Sequence, residues 1–419
     1  MRAVSGGIDF GTSNSTVGFI ENGRPRLVEL EAGEVAMPSA VFFNFEDDRT
    51  YFGRQAIGLY TDNVEGRLLR ALKSVLGSSL IEEKTRIKAH SIAFSDIIGS
   101  FLHYLKECLE KRVGGAVDNM VLGRPVHFVD DDPEADRSAQ EQLEKAARRR
   151  GFRHIEFQFE PIAAALDYEQ QVAREELALI VDIGGGTSDF SVVRVSPERA
   201  RSPDRKQDIL ANHGVHIGGT DFDRLLSIAH LMPELGYRSH TKDGKRNLPA
   251  GYYIDLATWQ RIHLLYTNKA MSDLRQIRYE AARPDLVDRM IDIVSARQGH
   301  AAAAIVEQAK IALTDRQEAA IEIALMGEKL RLPVTRDQLN EAIGSTVGRV
   351  QAAVKDTLAD AGVAPAQITA VFLTGGSSAI PLLKESVLAM FPSAATIEGD
   401  MFGSVGLGLA LDAQRKFGR

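Results

Sequence analysis

One pattern occurs twice in this chain, and it limits the possible folds more than any other feature. Residues 3–9 (AVSGGID), 16–21 (TVGFIE) and 26–31 (RLVELE) read as strands, joined by the turns GTSNS and NGRP. From residue 177 the plan returns: LALIVDI, SDFSVVRV and DILANHGV are strands, and GGGT is the first turn. In each copy an apolar strand ends at an aspartate, Asp9 or Asp182, and a turn of small residues leads into a second apolar strand. Helices and a short strand, NMVLGRP (119–125), follow the first copy; helices and ITAVFLTGG (368–376) follow the second. A duplicated α/β unit fits this order, and two such units facing each other leave a cleft. The chain has 419 residues, too many for one hydrophobic core, which also points to two lobes.

The expected layout is lobe one at 1–170, lobe two at 171–400, and a C-terminal helix at 401–419 returning to lobe one. Residues 225–315 read as a mostly helical subdomain inserted in lobe two. Elsewhere the helix signals are local. In DDPEADRSAQEQLEKAARRRGF, Asp132 can cap the helix, Pro133 fits its first position and Gly151 follows its end. Ile98, Phe101, Leu102, Leu105, Cys108 and Leu109 recur at helical spacing, which makes Cys108 a packing residue.

Composition excludes several classes. Lys and Arg total 50 against 57 Asp and Glu, a formal charge of −7, which argues against a dedicated nucleic-acid binder. No apolar run is long enough to span a membrane, and the N-terminus lacks a secretory signal core, so the cytoplasm is the expected compartment. A single cysteine excludes an internal disulfide, and the ten histidines show no metal-ligand spacing.

The chemistry concentrates in five segments. GIDFGTSNS (7–15) ends a strand at Asp9 and continues through Gly11, Thr12 and Ser13, residues small enough for backbone N–H groups to approach a phosphate. VDIGGGTSDF (181–190) places Gly184, Gly185, Gly186 and Thr187 after Asp182 and before Asp189. A structural turn rarely needs three glycines, because each costs backbone entropy. HIGGTDFD (216–223) carries Gly218 and Gly219, and VFLTGGSSAIP (371–381) carries Gly375, Gly376 and Ser377 at a strand end. In IVEQAKIALT, Glu307, Lys310 and Thr314 form one polar stripe, which pattern alone reads as a solvated helix face. Neither GxxxxGK[ST] nor a strand-following GxGxxG occurs. Phosphate turns without either motif point to an actin-like ATPase fold, two-lobed α/β built from duplicated ribonuclease-H-like units.

The order GIDFGTSNSTV, RALKSVLG, FEPIAAALDY, VDIGGGTSDFSV, HIGGTDFD, EQAKIALT and FLTGGSSAIP resembles the nucleotide-binding domain of DnaK-type heat-shock chaperones over nearly the whole chain. LGRPVHF, FEPIAAALDYE, LMPELG and GDMFGSVGLGLA look most like the divergent YegD branch. The resemblance implies ATP and ADP as ligands, with Mg2+ held through its waters by Asp9 and Asp182. It implies that Thr12, Ser13 and the backbone of 184–187 bind the β- and γ-phosphates, and that Lys73 reaches the γ-phosphate. Glu160, Thr187 and Asp189 would place the attacking water. Gly218 and Gly219 would line the phosphate and ribose side, Glu307, Lys310 and Thr314 the ribose and adenine, and Gly375, Gly376 and Ser377 would close over the adenosine. These roles suit phosphoryl transfer, which needs in-line positioning and charge neutralisation more than covalent help.

The departures are specific. MFGSVGLG, with Phe402 and Gly403, stands where relatives carry an Asp-Glu pair on the adenosine side. Pro125 and Arg137 match the family's interlobe relay, within a lengthened segment. The chain does not continue into the family's hydrophobic linker and peptide-binding β-sandwich, so peptide clamping by this chain alone is not expected. The leading expectation is a slow ATPase, chaperone-like, acting by nucleotide-driven lobe closure on a protein partner or client. Three alternatives stand beside it: a nucleotide-dependent scaffold with vestigial hydrolysis, an actin-like filament former, and a small-molecule kinase.

Overall fold

Two short turns set up the first sheet. In the computed structural model, which describes residues 4–129, 132–169, 172–202, 205–397 and 403–418, β1 (Ser5–Phe10) pairs antiparallel with β2 (Asn14–Glu21), and β2 with β3 (Arg24–Leu27). Asn22 and Gly23 join β2 to β3 with φ of 52° and 77°. Two successive positive φ values match the twist of a tight hairpin, and Asn-Gly is the pair that tolerates them. A short strand, β4 (Met37–Pro38), also pairs with β2.

The chain then builds a small outer layer. β5 (Ala40–Asn44), β6 (Thr50–Phe52) and β7 (Gly66–Arg70) form a three-stranded antiparallel sheet, covered by α1 (Gly53–Thr61). A hairpin of β8 (Lys84–Ile87) and β9 (His90–Ala93) leads into α2 (Phe94–Val113). Next come β10 (Asn119–Arg124), α3 (Pro133–Arg149), β11 (His154–Phe159) and α4 (Glu160–Glu169). The Asp132 carboxylate caps α3, accepting from the N–H groups of Glu134 and Ala135.

The second half repeats the first. β12 (Glu176–Ile183), β13 (Ser188–Val195) and β14 (Ile209–Val215) form the second meander. Five helices follow: α5 (Gly219–Leu226), α6 (Gly251–Ala257), α7 (Asn268–Glu280), α8 (Pro284–Ser295) and α9 (Gly299–Asp315). A hairpin of β15 (Glu318–Ala324) and β16 (Lys329–Thr335) precedes the long α10 (Arg336–Asp360). β17 (Ala370–Thr374), α11 (Pro381–Leu388), β18 (Ala395–Ile397) and α12 (Ser404–Phe417) complete the chain.

The two main sheets run β11–β10–β1–β2–β3 and β18–β17–β12–β13–β14. Position by position, the parallel and antiparallel pairs agree: β1 with β10 and β12 with β17 are parallel, β1 with β2 and β12 with β13 antiparallel. Asp9 and Asp182 are each the penultimate residue of the equivalent strand. This is the duplicated, two-lobed actin-like ATPase fold expected from the sequence.

One core lies under each sheet. Ile8, Phe10, Val17, Phe101, Leu105 and Leu143 belong to the first, and Val181, Phe190, Phe222, Leu313 and Val350 to the second. A third apolar cluster joins the halves. Ile162 and Ala163 of α4 and Val405 and Leu409 of α12 pack with Ile180, Val193 and Phe372 of the second sheet. The two helices cross at very short range: a Cβ on Gly408 would lie 1.8 Å from the Ala163 carbonyl oxygen, so only glycine fits there. α12 also packs on β1, β2, β3 and β10.

Candidate functional site

The turns after β1 and after β12 meet in the cleft. A Cβ on Gly185 would stand 1.9 Å from the Ser13 hydroxyl and 2.8 Å from its Cβ, so the backbone of the second turn comes this close to the Ser13 side chain only because this residue is glycine. The first turn is braced from behind, where Ser39 donates its hydroxyl to the Gly11 carbonyl (2.7 Å) and its N–H to the Ser13 carbonyl (2.8 Å). The second turn closes on itself through Gly184 N–H to the Thr187 carbonyl, 2.9 Å. It is held from lobe two by the Gly219 and Thr220 N–H groups, which donate to the carbonyls of Gly184 and Gly185. The Ser377 hydroxyl also donates to the Gly184 carbonyl (3.1 Å). Four of the expected segments therefore converge on one corner, and their remaining N–H groups are available to an anion.

Carboxylates gather beside these turns. Asp182 and Asp189 sit directly opposite each other across β12 and β13, so both side chains leave the same face of the sheet. Lys73 comes from a single helical turn, Leu72–Val75, set up by Ala71 at a φ of 56°. A left-handed alanine costs on the order of 1 kcal/mol, and such strain is typical of functional corners. Its ammonium lies 2.7 Å from Glu160 Oε1, the first residue of α4, and both side chains are largely buried.

The electrostatics of the group are coherent. Burial, with Glu160 and Asp182 nearby, raises the Asp9 carboxyl to about 8 against the opposing pull of Lys73. Burial, then Asp189 and Glu160, raises Asp182 to about 7. Burial alone would lower Lys73, but Glu160, Asp9 and Asp189 together hold it above its ordinary value. Burial is the first cause of both shifts and the neighbouring carboxylates add to it, so a further cation would favour the charged forms. Among the described residues no group of three or more His, Cys, Asp or Glu is arranged to hold a metal directly. Asp9 and Asp182 would meet a hydrated Mg2+ through its waters, since that ion keeps most of them.

A further side of the corner is formed by α5 and α9. Lys310 is buried; its ammonium bonds the Gly219 carbonyl (3.2 Å) and pairs with Asp223 (2.8 Å). Burial raises Asp223 to about 6, with Lys310 opposing. The polar stripe on α9 is therefore not a uniformly solvated face. Lys310 turns inward, Glu307 is half-buried, and Thr314 bonds its own helix at the Ile311 carbonyl. Gly375, at a φ of 79°, packs on the Ile183 carbonyl and the Asp182 carboxylate, which places the start of the Gly375–Ser377 turn against the carboxylate group. Of the relay pair, Pro125 lines a small cavity under Glu160, Asp182 and Asp189, whereas Arg137 is exposed on α3. The arginine engaged next to Pro125 is Arg124, whose guanidinium bonds Asp136, Gln140 and the Pro125 and Val126 carbonyls. Phe402 lies outside the described residues.

Three residues of this corner were not singled out from the sequence. Asp223 lies inside the HIGGTDFD segment, but its partner is 87 positions away and carries no local signal. Ser39 and Thr220 act through the backbone of the turns, a role no side-chain motif announces.

Paired turns on duplicated sheets around a carboxylate–lysine group define the nucleotide-site architecture of the actin-like ATPase fold. The comparisons agree with that class. The family model described as Hsp70 protein matches residues 5–250 and 288–415, and the chain belongs to this family. It is similar to the chaperone protein HscA of Pectobacterium carotovorum subsp. carotovorum, at 27% identity over 98% of this chain and 58% of that protein. The HscA homolog of Histophilus somni is 25% identical over 97% of this chain and 57% of its own length. The chaperone protein DnaK of Thermus thermophilus is 25% identical over 91% and 56%. The chain thus spans under three-fifths of these relatives. Among the described residues no helix is long and apolar enough to cross a membrane.

Proposed function

We propose that the chain binds ATP and ADP with Mg2+ between its lobes, hydrolyses ATP slowly, and serves as the nucleotide-driven part of a chaperone-like factor. The observation that carries this reading is the contact of Gly185 with Ser13, two phosphate-sized turns from opposite halves meeting beside Asp9, Lys73, Glu160 and Asp182. In this reading the N–H groups of 184–187, with Thr12 and Ser13, receive the β- and γ-phosphates. Asp9 and Asp182 take the metal's waters, and the bound ion would neutralise phosphate charge. Lys73 places its charge on the γ-phosphoryl oxygens, and Glu160, Thr187 and Asp189 orient the attacking water. Lys310 with Glu307 and Thr314 takes the ribose and adenine, and Gly218, Gly219 and Gly375–Ser377 wall that end.

The lobes of this reading are 1–170 and 171–400, with 225–315 set into the second and 401–419 returning to the first. The packing of α12 on β1, β2 and α4 supports that return. Closure of the lobes on nucleotide would be the output, passed to a protein partner or client. The YegD-like segments favour that branch. The test is Lys73→Ala: ATP binding is retained, and single-turnover hydrolysis falls on the order of a hundredfold, the usual cost of one lost charge on a developing anion. An unchanged rate removes Lys73 from the catalytic set.

A further inference from the structure

The mouth of the cleft is spanned by a second contact between the halves, away from the phosphate turns. From the first half, Tyr60 at the end of α1 and Arg70 at the end of β7 reach across. From the second half come Trp259, in the turn after α6, and His300, in the first turn of α9. The His300 ring sits 4.8 Å from both the Tyr60 and the Trp259 ring centroids, nearly edge-on to each. The Arg70 guanidinium lies 4.6 Å from the Trp259 ring centre. His300 is 5% exposed. Its Nε2 lies 3.1 Å from the Trp259 carbonyl, which can only accept, so Nε2 carries the proton. Nδ1 is then the acceptor for the Tyr60 hydroxyl at 3.4 Å.

Tyr60, Arg70 and His300 lie within the segments that match the family, and Trp259 lies between them. The family match passes over residues 251–287, and the chain's single tryptophan lies in that segment. We propose that Tyr60, Arg70, Trp259 and His300 form an aromatic clasp that holds the lobes together at the mouth of the cleft and sets the rate at which nucleotide leaves. The proposal rests on the nucleotide reading of the cleft given above.

The chemistry of the clasp makes it sensitive to protonation. The groups facing His300 are Tyr60 on α1, Arg70 on β7, the Trp259 carbonyl, His263 on the turn Ile262–Leu265, and Tyr266, itself approached by Arg297. They are neutral or cationic; Glu307 and Asp223 act on Arg70. Burial above all, with His263 and Arg70 adding to it against the Trp259 hydrogen bond, lowers His300 from 6.5 to about 4. The sign follows. The closed clasp holds His300 neutral, and an opened clasp returns it to its ordinary value. Closure is therefore strongest above pH 6.5 and weakens as pH falls toward 4, by at most about tenfold per pH unit. A protonated Nδ1 also ceases to accept from Tyr60.

The test uses the whole chain and two readouts. Acrylamide quenching of Trp259 fluorescence reports whether the clasp is closed, with no nucleotide present. Release of fluorescently labelled ADP, chased with unlabelled ADP, reports the gate. Arg70→Ala, and Arg70→Lys, which keeps the charge but loses the planar stack, should each raise quenching and speed release roughly three- to thirtyfold, the range of a buried cation–π contact. Single-turnover hydrolysis should stay at the wild-type rate. Lowering the pH from about 7 to about 5.5 should raise quenching and release in the wild type. His300→Gln should flatten that response, which separates it from titration of Asp9 and Asp182. Wild-type quenching and release in the Arg70 variants, or an unflattened pH response in His300→Gln, overturns the clasp. Slowed hydrolysis with unchanged release places Arg70 in the nucleotide site and also overturns it. If the wild type binds no nucleotide, the site reading and the gate fall together, and quenching alone then shows whether the halves are clasped.

Discussion

Gly185→Ala tests the meeting of the two turns more sharply than removal of any charged side chain. The added Cβ would lie 1.9 Å from the Ser13 hydroxyl. That hydroxyl can swing away, but the Ser13 Cβ, 2.8 Å off, cannot. Carbon atoms pack at about 3.5 Å or more, so the backbones must part by on the order of 0.5 Å even after Ser13 has moved. Productive geometry is lost beyond about that much displacement, and roughly 1 Å of misplacement costs on the order of a hundredfold. The expected result is a ten- to hundredfold fall in single-turnover ATP hydrolysis, with nucleotide still bound and stability changed by about 1–3 kcal/mol. Gly348→Ala on the exposed face of α10, where an added Cβ meets nothing within 4 Å, is the matched control and should leave the rate alone. A wild-type rate in Gly185→Ala would mean that the turns do not act as a pair.

Two further outcomes follow from the same geometry. Gly408→Ala would set a Cβ 1.8 Å from the Ala163 carbonyl oxygen and drive α4 and α12 apart, so its thermal midpoint should fall by the equivalent of roughly 1–3 kcal/mol; an unchanged melt would show that the helix crossing yields. The third outcome concerns protons. Asp9 and Asp182, raised from 3.8 to about 8 and about 7, bind their protons more tightly folded than unfolded, so they weaken the free protein as pH climbs from about 4 to 8. A cation favours their ionised forms, so the thermal shift from Mg2+–ADP should be larger at about pH 8 than at about pH 6. Calorimetry near pH 7 in buffers of different ionisation enthalpy should show protons released on binding, and buffer-independent heats would show that these carboxylates do not face the metal.

The duplication was legible because it is written locally. Each copy alternates apolar strands with a small-residue turn, and the aspartates fall at matching places. The hairpin of β15 and β16 was missed for the opposite reason. EAAIEIA is alanine-rich and weak in β propensity, and its pairing with KLRLPVT is fixed by packing on α9. The small sheet of β5, β6 and β7 was missed as well, since strands of three to five residues leave too few alternations to read. At the site, the glycine turns were visible as composition. What Gly185 touches was not, because Ser13 belongs to the other half of the duplication. Lys310 shows the limit of helical pattern: spacing put it on a polar stripe, but a half-buried partner, Asp223, turns it inward. The clasp had no signal in the sequence, since Tyr60 and His300 are 240 positions apart.

Titration calorimetry of the full chain with ATP and ADP, with and without Mg2+, asks whether the cleft is a Mg2+-dependent nucleotide site. One site of micromolar affinity or tighter is expected with Mg2+, weakened when the metal is chelated and the phosphates face Asp9 and Asp182 uncompensated. Absence of binding at millimolar nucleotide, or binding indifferent to Mg2+, would contradict it.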